Sequence, residues 1–334
     1  MMNKTTTYTA RNVVMIAYPD AHILDIVGPL EVLTGAKLFL GDDAPEPYNV
    51  KVVAAKAGPF STTSGLTLQA DESFAQAHEE DAKIDTLIIS GGHGTLDAME
   101  DEDLMAFTRW AAQKANRVVS ICTGAMILGE LGLLNGRRAT THWWWCPILS
   151  QKYPDIQVDP DAIFVHDGKY WTSAGVTAGM DLALALVESD WGHDVALQVA
   201  RYNVMYMMRP GGQSQFSAQL LAQKTDNGPI GKIMDFIVNN LDRDLTVPEL
   251  AKRACMSDRS FARKFKDMAS VTPANFVEAA RIQAARQALE QTDASIDMIA
   301  AQTGFNSAER MRRAFQKRER NPTLCRGFAS VCKK

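Results

Sequence analysis

Short apolar runs set the pattern of the first two-thirds of the chain. Val13-Val14-Met15-Ile16-Ala17-Tyr18 is unbroken by polar positions, and further strand candidates lie at 50–54, 86–90 and 117–121. A short run without alternation predicts a strand covered on both faces. Helical spacing appears around Pro29-Leu30-Glu31-Val32-Leu33 and at 104–114, 177–189 and 195–206. Strands alternating with helices predict an α/β domain, a mostly parallel sheet with helices on both sides. The helical pattern breaks at Arg209-Pro210-Gly211-Gly212-Gln213-Ser214-Gln215-Phe216, and through Asn227-Gly228-Pro229 the chain reads as a linker. The expected division is a domain over 11–205, a linker over 206–228 and an all-α domain over 229–330.

The all-α part contains a degenerate repeat. Leu250-Ala251-Lys252-Arg253-Ala254-Cys255-Met256-Ser257 is followed by Phe261, Arg263 and Phe265. Ile299-Ala300-Ala301-Gln302-Thr303-Gly304-Phe305-Asn306-Ser307 is followed by Met311, Arg313 and Phe315. The offset is 49 residues before the turn and 50 after it, so the second turn carries one inserted residue. A short helix, a tight turn near Cys255 or Gly304, and a second helix opened by Ser257 or Ser307 is helix-turn-helix order. Phe261 and Phe265 share one helical face, as do Met311 and Phe315. The opposite faces carry Arg259, Ser260, Arg263, Lys264 and Lys266 in one unit, and Ser307, Glu309, Arg310, Arg312, Arg313, Lys317 and Arg318 in the other. Cationic faces over buried aromatic seams suit the major groove of double-stranded DNA. Between the units, Phe276, Ala279, Ile282, Ala285 and Leu289 form an apolar stripe on an Ala-rich helix, read as a rigid connector.

Charge sharpens the division. Residues 228–334 hold 19 Lys and Arg against 12 Asp and Glu, while the whole chain of 334 residues has a net charge of −4. The C-terminal segment therefore stands at +7 and the rest at −11, so only the former is expected to meet a polyanion. No apolar stretch is long enough for a membrane-spanning helix. The opening Met1-Met2-Asn3-Lys4 has no signal-peptide character, and five scattered cysteines make no disulfide framework. These features point to a cytoplasmic protein with reduced thiols. No cofactor is expected, and His22, His78, His166 and His193 lack metal-ligand spacing and read as surface or core residues.

The stretch Gly304-Phe305-Asn306-Ser307-Ala308-Glu309 with Arg312-Arg313-Ala314-Phe315 resembles the AraC/XylS family of transcription regulators over about 100 residues. The resemblance implies seven or so helices, two of which enter successive major-groove segments on one DNA face. Two departures are visible. Cys255 stands where the family's first turn commonly has Gly. The loop from Phe315 to Pro322 is one residue shorter than that from Phe265 to Pro273, so its final helix is expected to pack differently.

Chemistry in the acidic part centres on Val118-Val119-Ser120-Ile121-Cys122-Thr123-Gly124-Ala125. A buried strand ending at Cys, with small residues opening a helix, fits a nucleophile elbow. A thiol at a helix N-terminus is expected to favour thiolate, against the alternative of a small buried cysteine. Cys122-Thr123-Gly124, Gly91-Gly92-His93-Gly94, Asp25-Ile26-Val27-Gly28-Pro29-Leu30-Glu31 and Ala139-Thr140-Thr141-His142-Trp143 together resemble the ThiJ/PfpI family, the class I glutamine amidotransferase-like fold, over about 11–200. The resemblance implies an acidic partner for Cys122, Asp25 or Glu31, and a glycine loop including Gly92 and His93 that presents amides near the thiol. Thr123 replaces the His of protease-like members, and no downstream His–Glu pair is evident. His142 reads either as a pocket residue or as a packing histidine beside Trp143, Trp144 and Trp145.

The domain order resembles the GlxA-type regulators within the AraC/XylS family. The expected function is a sequence-specific, DNA-binding transcription regulator, dimeric, with a small-molecule effector in the N-terminal domain. The effector class implied by the family is nitrogenous metabolites. An alternative is a Cys122-dependent enzyme, isonitrile hydratase-like or amide hydrolase-like, with Asp25 as acid/base; another is redox sensing through a low-pKa Cys122.

Overall fold

The structure, a computed structural model, describes residues 9–41, 45–205, 208–209, 211, 215, 228–269, 271–292 and 294–318. The chain divides into two compact units, Met1–Gln215 and Phe216–Lys334. In the first, the main sheet has seven strands, in spatial order Phe164–Asp167, Tyr170–Ser173, Arg117–Ile121, Thr86–Ile89, Arg11–Ile16, Tyr48–Ala54 and Glu72–Ser73. All neighbouring pairs are parallel except the hairpin of the first two. Numbered along the chain, the main parallel strands follow the flavodoxin-like order 2-1-3-4-5, flanked by the hairpin strand and by Glu72–Ser73.

The apolar runs lie where two-sided burial requires them. Thr86–Ile89 is buried at all four positions. Helices Ile23–Gly35, Thr177–Trp191 and His193–Tyr202 pack as one group, and Phe74–Glu80, Thr95–Glu100, Glu102–Lys114 and Gly124–Glu130 as another. The first helix is longer than its Pro29-centred pattern suggests, because Pro29 lies inside it and Asp25 falls on its first turn. The Phe164–Asp167/Tyr170–Ser173 hairpin escaped the sequence reading. Its strands are four residues each, with polar His166 and Asp167 in one and Thr172 and Ser173 in the other.

The second unit is helical throughout its described residues: Pro229–Asn239, Val247–Arg253, Asp258–Ala269, Pro273–Gln291, Ile296–Gln302 and Ala308–Arg318. Most of the expected linker (206–207, 210, 212–214 and 216–227), the Pro322 loop and any final helix lie outside the described residues, as do the side chains of Lys317 and Arg318. Two separate cores form. Ile233, Ile237, Leu250, Phe261, Phe265 and Phe276 build the first. Ile282, Ala285, Ile299, Phe305, Met311 and Phe315 build the second. The connector Pro273–Gln291 belongs to both, its first half inserted in one core and its second half in the other. The expected single stripe is thus divided between two cores.

Each helix-turn-helix turn uses the left-handed region, at Cys255 (φ 55°) in the first and Gly304 (φ 77°) in the second. The inserted residue of the second turn has a structural counterpart in Asn306, also left-handed at φ 61°. Ser257 Oγ accepts from Ser260 N at 3.4 Å and Ser307 Oγ from Arg310 N at 3.3 Å, closing the first turn of each following helix. Phe265 is fully buried and stacks edge-on against Phe276 at 5.3 Å. Phe265→Ala is expected to destabilise the helical unit by about 3–5 kcal/mol in urea unfolding followed by circular dichroism. Arg263→Ala, on the exposed face of the same helix, should stay within about 0.5 kcal/mol of wild type.

Candidate functional site

Strand Arg117–Ile121 runs into Cys122, whose φ of 54° turns the chain sharply before helix Gly124–Glu130. A side chain in that conformation is strained, and the surrounding backbone is shaped to accept it. A Cβ on Gly91 would fall 2.7 Å from Cys122 Cβ, and one on Gly175 (φ 82°) would fall 2.2 Å from the same atom. Neither position tolerates a side chain. Cys122 N donates to Ser173 O at 3.0 Å, and Thr141 Oγ1 donates to Cys122 O at 2.7 Å. The elbow is therefore held from the hairpin strand and from the Thr141 segment at once.

Asp25 is fully buried, and its Oδ1 accepts from Val176 N at 2.7 Å. Its carboxyl faces the Cys122 thiol, and Oδ2 has no hydrogen-bond partner. Burial pushes the Asp25 carboxyl above the usual carboxylate range, against the stabilising Val176 amide. Burial first, and the facing carboxyl second, push the thiol well above its ordinary value. The expected thiolate is overturned. Loss of solvation and the facing carboxyl outweigh a helix of only seven residues, which counts against a low-pKa thiol at this position.

Other expected residues fall differently. Glu31, six residues beyond Asp25, is rotated by about 240° around the helix axis and is exposed. Thr123 is buried; its Oγ1 accepts from Gly92 N at 2.8 Å and pairs with Thr95 Oγ1 at 2.6 Å. Where protease-like relatives carry His, this chain uses a hydroxyl to fix the glycine loop. Gly91 N faces Asp25, while the Gly92 and Gly94 amides are committed internally, the latter donating to Asp20 O at 3.1 Å. His93 is exposed on that loop.

His142 is half-buried, 5.5 Å from the Trp143 ring centroid, and burial followed by proximity to His22 lowers its basicity. His22, read from sequence as surface or core, belongs to the site. Its Nδ1 lies 3.9 Å from Asp25 Oδ1, is buried and lacks a hydrogen bond. Its backbone N donates to Gly91 O at 2.7 Å. A lone histidine gives no spacing signal; only its position three residues before Asp25 could have pointed to it. Asp25, His22, Cys122 and the Gly91 loop meet at the carboxyl ends of the strands, where strand order reverses between Arg11–Ile16 and Thr86–Ile89 and open α/β sheets take ligands.

In the helical unit, Arg259, Arg263 and Lys264 are exposed and Ser260 half-buried on helix Asp258–Ala269. On Ala308–Arg318, Ser307 precedes the first turn and Glu309, Arg310, Arg312 and Arg313 are exposed. Glu309 binds Arg312 through Nε and Nη2, both at 2.8 Å, and Arg313 Nε at 2.9 Å. The two guanidinium groups hold the Glu309 carboxyl down at about 2. Arg312 and Arg313, expected as free cationic contacts, are thus organised around one carboxylate.

The chain belongs to the DJ-1/PfpI family, whose sequence pattern matches residues 11–189; a helix-turn-helix domain pattern matches 250–322. It is 30% identical to the HTH-type transcriptional regulator CdhR of Pseudomonas aeruginosa, over 90% of this chain and 86% of that protein. It is 34% identical to the isonitrile hydratase of Pseudomonas putida, over 58% of this chain and 78% of the enzyme. The regulator GlxA of Rhizobium meliloti is 24% identical over 92% of this chain and 90% of its own length. A solved ThiJ/PfpI family protein from Pseudomonas syringae superposes with a TM-score of 0.56 at 26% identity, covering 76% of this chain and 92% of that one. The resemblance to GlxA-type regulators stands.

Asp25 supplies a pH-dependent test. Its folded carboxyl protonates more readily than the unfolded one, so its contribution is fully present below the ordinary carboxylate range and is lost as pH rises through the folded value. Asp25→Asn keeps an acceptor for Val176 N and is expected to be more stable than wild type at neutral pH by about 1 kcal/mol or more. The difference should shrink towards pH 4 (roughly the unfolded value) in parallel thermal melts.

Proposed function

We propose that the site formed by Cys122, Asp25 and His22 binds a small, nitrogen-containing effector whose occupancy controls the DNA affinity of this transcription regulator. The DNA-binding part rests on one observation: two helix-turn-helix units of the same repeat, each burying its aromatic face and exposing a cationic one. A ligand alters DNA affinity only by binding one arrangement of the protein better than another. The chain's path out of the α/β unit supports such a link.

Arg209 chelates the buried Asp181 through Nε (2.9 Å) and Nη2 (2.5 Å), and reaches Thr177 Oγ1 at 2.9 Å. Thr177 follows Val176, the residue that holds Asp25. Gln215 Nε2 donates to Thr141 O and Ala162 O, both at 2.9 Å, and lies 3.1 Å from Thr140 Oγ1. Thr141 is also the residue that holds the Cys122 carbonyl. Cys122 is thus linked to Gln215 by two hydrogen bonds through Thr141, and Asp25 to Arg209 by two hydrogen bonds through the neighbours Val176 and Thr177. The protein works in the cytoplasm and pairs as a homodimer through its α/β units in this reading, a state that sedimentation velocity measures.

A second reading, hydration or hydrolysis at Cys122, draws on the likeness to the isonitrile hydratase and on the Asp25–Cys122 contact. Cys122→Ser separates the two: retained effector-dependent DNA binding with no turnover by wild type supports regulation, whereas turnover abolished by the serine supports the enzyme. Thr141→Val is expected to leave basal DNA binding intact and blunt the effector response in fluorescence anisotropy. On the DNA face, Arg263→Ala and Arg313→Ala should each lower the log–log salt slope by about 1 if the side chain meets phosphate. If it reads a base, discrimination at that base pair should fall by about 1–3 kcal/mol.

A further inference from the structure

We propose that Arg281 is the positioning residue that sets the spacing and rotational phase between the two DNA-reading helices, with Gly304 as the surface it works against. The inference deepens the DNA-binding reading and rests on it. Arg281 sits on the connector at the changeover between cores, flanked by Ala280 in the first and Ile282 in the second. Its guanidinium turns back to the loop after helix Pro229–Asn239, donating from Nε to Leu241 O at 3.0 Å and from Nη2 to Arg243 O at 2.8 Å. Two carbonyls of the first unit are satisfied by one rigid, planar side chain.

The turn of the second unit closes on the same point. A Cβ on Gly304 would fall 1.9 Å from Leu241 O, 2.7 Å from Arg281 Nε and 2.9 Å from Arg281 Cζ. Glycine is needed there twice over, for its φ of 77° and for contact with the first unit's loop. The equivalent residue of the first unit, Cys255, has the same left-handed backbone but is exposed. The repeat therefore differs in what its turns touch. The first turn can carry a side chain, while the second is a bearing surface for Arg281 and Leu241.

Beside this contact lies a cleft of about 720 Å³, lined by Asp242, Thr246, Glu278, Asn306, Arg310 and Arg313 among others. The two units thus meet tightly at Arg281 while open space remains alongside. One base pair of altered spacing displaces a reading helix by about 3.4 Å and rotates it by about 35° relative to its groove. A pin at the junction decides which spacing fits.

The test uses the full chain. Duplexes selected from a random library by wild type give the preferred pair of half-sites, and derivatives with one base pair added or removed between them report spacing preference by anisotropy. Arg281→Met, which keeps the stem and loses the donors, is expected to bind the preferred duplex about tenfold more weakly. It should bind the shifted duplexes and random-sequence DNA within about twofold of wild type, so that the preference flattens. Gly304→Ala should give the same flattening from the other side of the contact, and Arg281→Lys a partial one. Equal losses on every duplex, or an unchanged spacing preference, would overturn the proposal. If Arg281→Met fails to fold in thermal melts, Gly304→Ala and Arg281→Lys decide it by the same comparison. Wild type that ignores DNA altogether sinks the underlying reading instead.

Discussion

A left-handed cysteine wedged between two glycines constrains the whole α/β unit. Cys122 adopts φ 54° only because Gly91 and Gly175 leave room for its Cβ. The second of these glycines leads directly into Val176, itself at φ 53°, whose amide fixes Asp25. Non-glycine residues in such conformations cost about 1–3 kcal/mol each and persist where surrounding structure over-determines them. Here the parallel sheet does so, through the bond from Cys122 N to Ser173 O and the buried strands on either side. The strain is concentrated around one buried carboxyl and one buried thiol, the two groups least comfortable without solvent.

Much of this architecture is legible in the sequence because it follows from periodicity and small residues. Continuous apolar runs gave four of the parallel strands, since burial on both faces erases polar alternation. Cys122-Thr123-Gly124 located the elbow because only small neighbours permit the turn. Electrostatics was less legible. The helix position of Cys122 suggested thiolate, but desolvation depends on what covers the site, and the carboxyl that opposes ionisation comes from almost a hundred residues earlier. His22 was hidden for the same reason, while Glu31 stood as the second candidate after Asp25 until the helix gave it a direction. The edge hairpin was invisible because each of its short strands pairs two apolar residues with two polar ones, giving neither an unbroken apolar run nor an alternation.

The helical unit shows how a repeat diverges without losing its core pattern. Phe261 and Phe265 match Met311 and Phe315 as buried faces. The exposed faces are no longer alike. In the second reading helix, Glu309 gathers Arg312 and Arg313. Exposed pairs of this kind contribute little stability; their consequence is geometric, since a guanidinium held in one direction loses less freedom when it meets DNA. Glu309 offsets one of the five cationic residues of that helix, which still carries more net positive charge than helix Asp258–Ala269. Arg259, Arg263 and Lys264 on the first helix make no ion pair among the described residues.

Charge segregation gives the two-unit arrangement a consequence of its own. The segment 228–334 carries +7 and the segment 1–227 carries −11, so the chain as a whole is acidic while its DNA-reading part is basic. With a Debye length of about 8 Å at physiological salt, the acidic unit repels a phosphate backbone only when it stands close to it. Any rearrangement that moves the acidic surface across that distance changes DNA affinity, even when every base contact stays the same. An effector therefore needs no direct path to a reading helix. On the proposed reading it would need only to bind one placement of the α/β unit better than another, and Arg209 and Gln215, bonded to residues that also hold Asp25 and Cys122, would carry that preference. Such coupling weakens with added salt, whereas coupling through altered helix spacing does not, so ionic strength distinguishes the two routes within one protein.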